Sequence, residues 1–196
     1  MEFIFVFICF IIGISIFIYF ESKTTNMTYV MSNVDNKKYL VRNVDDKQIA
    51  SDLLATMCKR IHTLLDYLDV HYGNEDRVKR LIKKFNPNNI CESTPNNKYT
   101  SYSINKGEKI VMCLRTKDGT NTLIDINTLM FVVLHEITHV MTLSIGHTKE
   151  FWSNFKFILK VSVKLNIYNK VDYSKEPQPY CGIKVTDSPL YNKSIE

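Results

Sequence analysis

Apolar residues recur along this chain with three different spacings. From Phe3 to Phe20 they are nearly continuous, broken by Gly13 and Ser15. A helix over that run is about 27 Å long at 1.5 Å per residue, close to the thickness of a bilayer core. Between Asp46 and Val70 the apolar positions Ile49, Leu53, Leu54, Met57, Ile61, Leu64, Leu65 and Leu68 follow a 3–4 spacing, one face of a long amphipathic helix. Asn74 caps a second helix through Phe85, with Val78, Leu81 and Ile82 on its stripe and Pro87 ending it. A third stripe, Leu129, Met130, Val133, Ile137, Val140 and Met141, follows Asn127 or Thr128 as cap. A fourth runs from Thr148 to about Asn166 through Phe151, Trp152, Phe155, Ile158, Leu159 and Val163. Period-two segments are short: Tyr99–Tyr102 and Lys109–Arg115, joined as a hairpin through Asn105-Lys106-Gly107. The Asn- and Pro-rich residues 86–97 read as a loop, and the tail with Pro177, Pro179 and Pro189 as an irregular wrap.

These elements give an α+β fold in three parts: a transmembrane anchor over 1–21, a polar spacer over 22–44 and a folded domain over 45–196. The Met1-Glu2 start has no basic flank, and Tyr19-Phe20-Glu21-Ser22 is no small-residue cleavage site, so residues 3–20 read as a retained anchor rather than a cleaved signal. Lys23, Lys37, Lys38 and Arg42 follow the anchor, which places the domain in the cytoplasm by the positive-inside rule. Asn26-Met27-Thr28 and Asn192-Lys193-Ser194 are glycosylation sequons usable only on the other side.

Lys and Arg number 25 against 20 Asp and Glu, a formal net charge of +5. With no interleaved basic and aromatic residues, that excess describes a solvated lysine-rich surface and argues against nucleic-acid binding. Cys9 lies in the anchor. Cys58, Cys91, Cys113 and Cys181 form no CxxC pair and no zinc ribbon, and in a cytoplasmic domain they read as reduced core residues. On the far side of the membrane they could form up to two disulfides. Cys58 and His62, four apart, read as a packed helix pair.

The chemistry concentrates in His135-Glu136-Ile137-Thr138-His139 on the third stripe. Two histidines four apart stand one helical turn from each other, Cβ atoms about 5–6 Å apart, so both imidazoles reach one zinc ion. The adjacent Glu136 is placed to take a proton from an activated water. A catalytic zinc needs a third protein ligand and an open position. Gly146 can end the helix in a left-handed conformation and bring His147 back over the pair; Glu150 is the competing third ligand. Tyr173 or Tyr180 can supply a hydroxyl to a tetrahedral oxyanion, and Lys109–Leu114 is the strand expected to hold a peptide as an added strand.

The segment from His135 through Gly146-His147 to Phe151-Trp152 resembles the WLM and SprT-like zinc metallopeptidases, which pair HExxH with a later Gly-His and a following aromatic residue. It is most similar to short, membrane-anchored WLM-like proteins of large DNA viruses. Asn105–Ile110, Cys113-Leu114-Arg115, Asn127–Met130 and Pro179-Tyr180-Cys181-Gly182 extend the resemblance over about 98–190. It implies a zincin-like domain with a small sheet or hairpin beside the active-site helix, Zn2+ on His135, His139 and His147, and Glu136 as catalytic base. It also implies a virion or infected-cell membrane. His139 and His147 are eight apart where cellular members have six, so the ligand loop is longer here. No ubiquitin-like, SUMO-binding or DNA-binding tail is visible, so the DNA–protein crosslink role of cellular relatives does not carry over.

The sequence thus describes a membrane-tethered zinc endopeptidase acting on a protein or peptide substrate. The rival from another class is a non-catalytic, zinc-stabilised binding or scaffold protein that keeps the three histidines and does not use Glu136 as a base.

Overall fold

The computed structural model describes residues 2–195. Helix α1 (Glu2–Thr25) forms over the expected anchor, and its large apolar side chains from Phe3 to Ile16, with Ile18, stand exposed wherever they are described. Among the described residues, however, no helix is long and apolar enough to cross a membrane. The helix is therefore observed, and its insertion is not.

Residues 22–44, read from sequence as a spacer, hold an antiparallel hairpin of β1 (Met27–Met31) and β2 (Lys38–Arg42), in register Thr28 with Val41. Tyr39 and Val41 are buried in the core. The hairpin lies on α2 (Lys47–Tyr72), where Ser51 Oγ donates to the Val30 carbonyl at 3.0 Å and Asp52 accepts from the Asn33 amide at 2.7 Å. Tyr39 and Val41 are two residues apart, a pattern too short to mark a strand in polar surroundings. The same docking leaves Ile49 62 % exposed, on the rim of the α2 stripe rather than in it. Helix α3 (Asp76–Lys84) begins after Glu75, one residue later than a cap at Asn74 allows.

The three-stranded sheet has the order β3-β5-β4. Strand β3 (Ile90–Glu92), unforeseen in its Asn-rich surroundings, pairs parallel with β5 (Lys109–Met112), which pairs antiparallel with β4 (Tyr102–Ile104). The β4–β5 turn lies where expected, with Asn105, Lys106 and Gly107 all at positive φ. A Cβ at Gly107 would stand 2.8 Å from Val140 Cγ1, so this turn is pressed against the next helix, α4 (Ile126–Met141). β5 is central, which overturns its assignment as the substrate edge. β3 and β4 are the edges, and β4 packs on α4.

Helix α4 is buried nearly all round, with Leu129, Met130, Val133, Leu134, Ile137 and Val140 fully inaccessible between α2, α3 and α5 (Lys149–Lys164). Its cap is Asp125, whose carboxylate accepts from the amides of Asn127 and Thr128, the two residues the sequence offered for that role. The tail is not irregular throughout: β6 (Gln178–Tyr180) and β7 (Ile183–Val185) form a two-stranded hairpin.

A buried ion network joins the parts. Glu92 accepts from Arg115 Nε at 2.8 Å and from the Arg42 amide at 2.7 Å, while Arg115 Nη1 reaches Asp46 at 2.6 Å. The cysteine reading needs correction. Cys58 and Cys91 are buried thiols, but Cys113 and Cys181, 68 residues apart, form a disulfide. Their separation hides the pairing from sequence; docking of the β6–β7 hairpin at the end of β5 creates it.

Candidate active site

Three imidazoles converge at the C-terminal end of α4. The Nε2 atoms of His139 and His135 lie 3.2 Å apart, and those of His147 and His135 lie 3.0 Å apart. The helix supplies the first pair by its pitch. His147 arrives because Gly146 takes φ +81 and turns the chain back over the helix end. Thr148 then caps α5, its hydroxyl accepting from the Phe151 amide.

Phe151 is fully buried beneath all three rings, with centroids 4.8, 4.4 and 4.7 Å from those of His135, His139 and His147. Trp152 lies beside His147 at 5.6 Å. Glu150 does not join the cluster. Its carboxylate accepts from the amides of Leu143 and Ser144 and from Ser144 Oγ, fastening the loop that carries His147.

The donor set fits zinc. Tetrahedral coordination at about 2.0–2.1 Å sets neighbouring ligand atoms about 3.3 Å apart, and two of the nitrogen separations already stand near that value. All three ligand atoms lie within 4.8 Å of one another. Burial, followed by the neighbouring imidazoles, holds His135 neutral down to about 3. His139 is lowered to about 4 by burial, then by His147 and Lys106. At neutral pH both are neutral imidazoles, each with one ring nitrogen free to bind a metal ion.

Glu136, next to His135, is 8 % exposed, and burial raises its carboxyl to about 7. It lines two cavities, one on each side. The first, about 230 Å³, is walled by Phe131, Val132, His135, Trp152 and Phe155, and opposite them by Tyr180, Ile183 and Val185. The second, about 180 Å³, is bounded by Ser103, Lys106, His139 and the Ile145-Gly146 loop. Glu136 is thus shared by two cavities, the second of which reaches Ser103 of β4.

This geometry has a counterpart among known proteins, since residues 75–191 match the WLM domain. The chain belongs to the WLM family.

Its relatives are proteins of large DNA viruses. An uncharacterized protein of Acanthamoeba polyphaga mimivirus is 38% identical over 145 residues, 72% of this chain and 73% of that protein. One from Invertebrate iridescent virus 6 is 39% identical over 71 residues, 36% of this chain and 39% of its own length. Among solved structures, Wss1 of Saccharomyces cerevisiae aligns with a TM-score of 0.47 at 18% identity, over 63% of this chain and 84% of that one. The WLM match begins at Glu75, so hairpin β1–β2 and helix α2 precede it, although Arg42 and Asp46 belong to the buried network behind the site.

The two candidate tyrosines of this WLM domain, Tyr173 and Tyr180, separate clearly. Tyr180 lines the cavity with Glu136, and its hydroxyl is hydrogen-bonded to Ser101 Oγ. Tyr173 is fully buried against Phe131, centroids 4.7 Å apart, and lines neither cavity beside Glu136. Sequence reasoning missed Ser101 and the whole β6–β7 wall. The available signal was Pro-Tyr-Cys-Gly-Ile-Lys-Val, a two-residue turn between β-forming residues.

Proposed function

We propose that this WLM protein is a zinc-dependent endopeptidase acting on protein or peptide chains. The observation that carries the reading is the convergence of His135, His139 and His147 beside the buried Glu136, which lines two cavities. His135, His139 and His147 would hold the ion. Zinc, when bound, supplies Lewis acidity to a water and to the scissile carbonyl. Glu136 accepts the proton of the attacking water and delivers it to the leaving amine. Glu136 is nearly buried and adjoins His135, so its carboxylate has few competing water partners for that exchange. Tyr180 would donate its hydroxyl to the oxyanion, a role supported by its lining the same cavity as Glu136. The edge of β4 holds the substrate backbone.

The same proposal keeps residues 3–20 as a membrane tether with the domain on the cytoplasmic side of a virion or infected-cell membrane. Its support is the nearly continuous apolar run and the basic residues after it.

The test is Glu136→Gln on zinc-loaded protein, with metal content and hydrolysis of a denatured protein measured together. Loss of hydrolysis with zinc retained is expected. Full activity in that variant would sink the mechanism, and an unaltered biological role without hydrolysis would favour the zinc-stabilised scaffold.

A further inference from the structure

One residue, Cys113, is joined to Tyr180 from two directions. Along the chain, Tyr180 is followed by Cys181, which is bonded to Cys113. Through the side chain, the Tyr180 hydroxyl meets Ser101 Oγ, and Ser101 Oγ accepts the Cys113 amide at 3.0 Å. Both ends of Tyr180 are therefore referenced to the end of β5.

Tyr180 and Cys181 are buried in the core and Val185 packs against it, while Gly182, Ile183 and Lys184 stand exposed, so the β7 side of the hairpin is lightly held. β6 and β7 have three residues each and form a sheet of their own, and an isolated two-stranded hairpin is marginal. Its turn is also under tension. Cys181 and Gly182 have φ of 47 and 87, as a two-residue hairpin turn requires. Among the described residues, every other non-glycine at positive φ is asparagine, apart from Lys106. A cysteine has no intrinsic preference for that conformation, so the turn is costly to hold and the crosslink is one of the contacts that hold it. Yet this hairpin supplies the cavity wall facing His135 and Glu136.

We propose that the Cys113–Cys181 disulfide is a positioning crosslink that makes the site redox-dependent. Oxidised, it keeps Tyr180 and the β6–β7 wall against Glu136; reduced, it releases the hairpin and opens the cavity while the histidines stay in place. A dithiol supplies two electrons and two protons, the sulfur–sulfur bond becomes the thiols of Cys113 and Cys181, and the dithiol becomes its own disulfide. The consequence for turnover rests on the peptidase reading. The opening of the cavity does not.

The chain's one tryptophan, Trp152, lines the same cavity and reports its opening without any substrate. Full-length, zinc-loaded protein is compared before and after reduction by a phosphine, beside the Cys113→Ser/Cys181→Ser double variant. Expected on reduction are severalfold stronger acrylamide quenching of Trp152 and faster deuterium exchange over 178–185, with α2 and α4 still protected and zinc retained. The double variant should match the reduced protein and ignore the reductant. On a denatured protein substrate, reduction should lower kcat more than KM, with no further loss in Tyr180→Phe. Unchanged quenching and exchange would overturn the proposal. Faster exchange throughout α2 would overturn it too, marking a general staple, and so would an undiminished effect of reduction in Tyr180→Phe. Absence of turnover in every form would count against the peptidase reading, with quenching and exchange still deciding the crosslink.

Discussion

His147 Nε2 lies 3.0 Å from His135 Nε2 although the two residues are 12 apart and only one is helical. The contact depends on the reversal at Gly146 and on the three hydrogen bonds by which Glu150 fastens residues 143 and 144. Glu150 is held below the usual carboxylate range by the Leu143 amide, then by Ser144.

Gly146→Ala should therefore weaken metal binding without touching a ligand. No atom lies within 4 Å of the new Cβ, so the effect is conformational, about 1–2 kcal/mol for a left-handed alanine. His147→Ala should lower zinc affinity further, and Glu150→Ala less than His147→Ala. Zinc competition with a chelator ranks the three. Equal loss in Glu150→Ala and His147→Ala would return Glu150 to the ligand set.

Metal-free protein should show opposing pH effects from neighbouring residues. His135 and His139, lowered to about 3 and about 4, bind fewer protons folded than unfolded up to about 6.5, so their burial makes stability rise with pH over that window. Glu136, raised to about 7, binds more protons folded than unfolded, so its contribution falls as pH rises from about 4.5 to 7. Glu136→Gln should consequently steepen the rise in thermal midpoint between pH 5 and 6.5. A parallel profile would mean that Glu136 is not desolvated in the folded chain.

Arg115 and Glu92 are buried together, their side chains 2% and 0% exposed. Arg115→Met leaves Glu92 with Arg42 alone and exposes a desolvated charge to no close partner on that side. The loss should be about 3–5 kcal/mol by denaturant unfolding. A loss under about 1 kcal/mol would show that water reaches Glu92.

Asn192 is exposed near the C-terminus and carries a sequon. With the domain on the cytoplasmic side, it should remain unmodified when the chain is made in cells with a secretory pathway. A glycosidase-sensitive mass shift would place the domain on the oxidising side, the side on which a disulfide such as Cys113–Cys181 persists.

By itself the sequence determined what is local. The helical stripes of α2, α4 and α5, the Asn105–Gly107 turn and the pairing of His135 with His139 depend on spacings of two to four residues, and pitch converts those directly into geometry. Even His147 was legible, because a glycine beside it marks where the chain can reverse. Tertiary structure decided everything that joins distant segments. Only packing made β5 central and β4 an edge, drew Arg42 and Glu92 to Arg115, and set Tyr180 rather than Tyr173 in the cavity wall. It also brought Cys181 to Cys113. Such contacts leave no period in the chain: their partners are chosen by which surfaces exclude water together, and that is settled only when the whole domain closes.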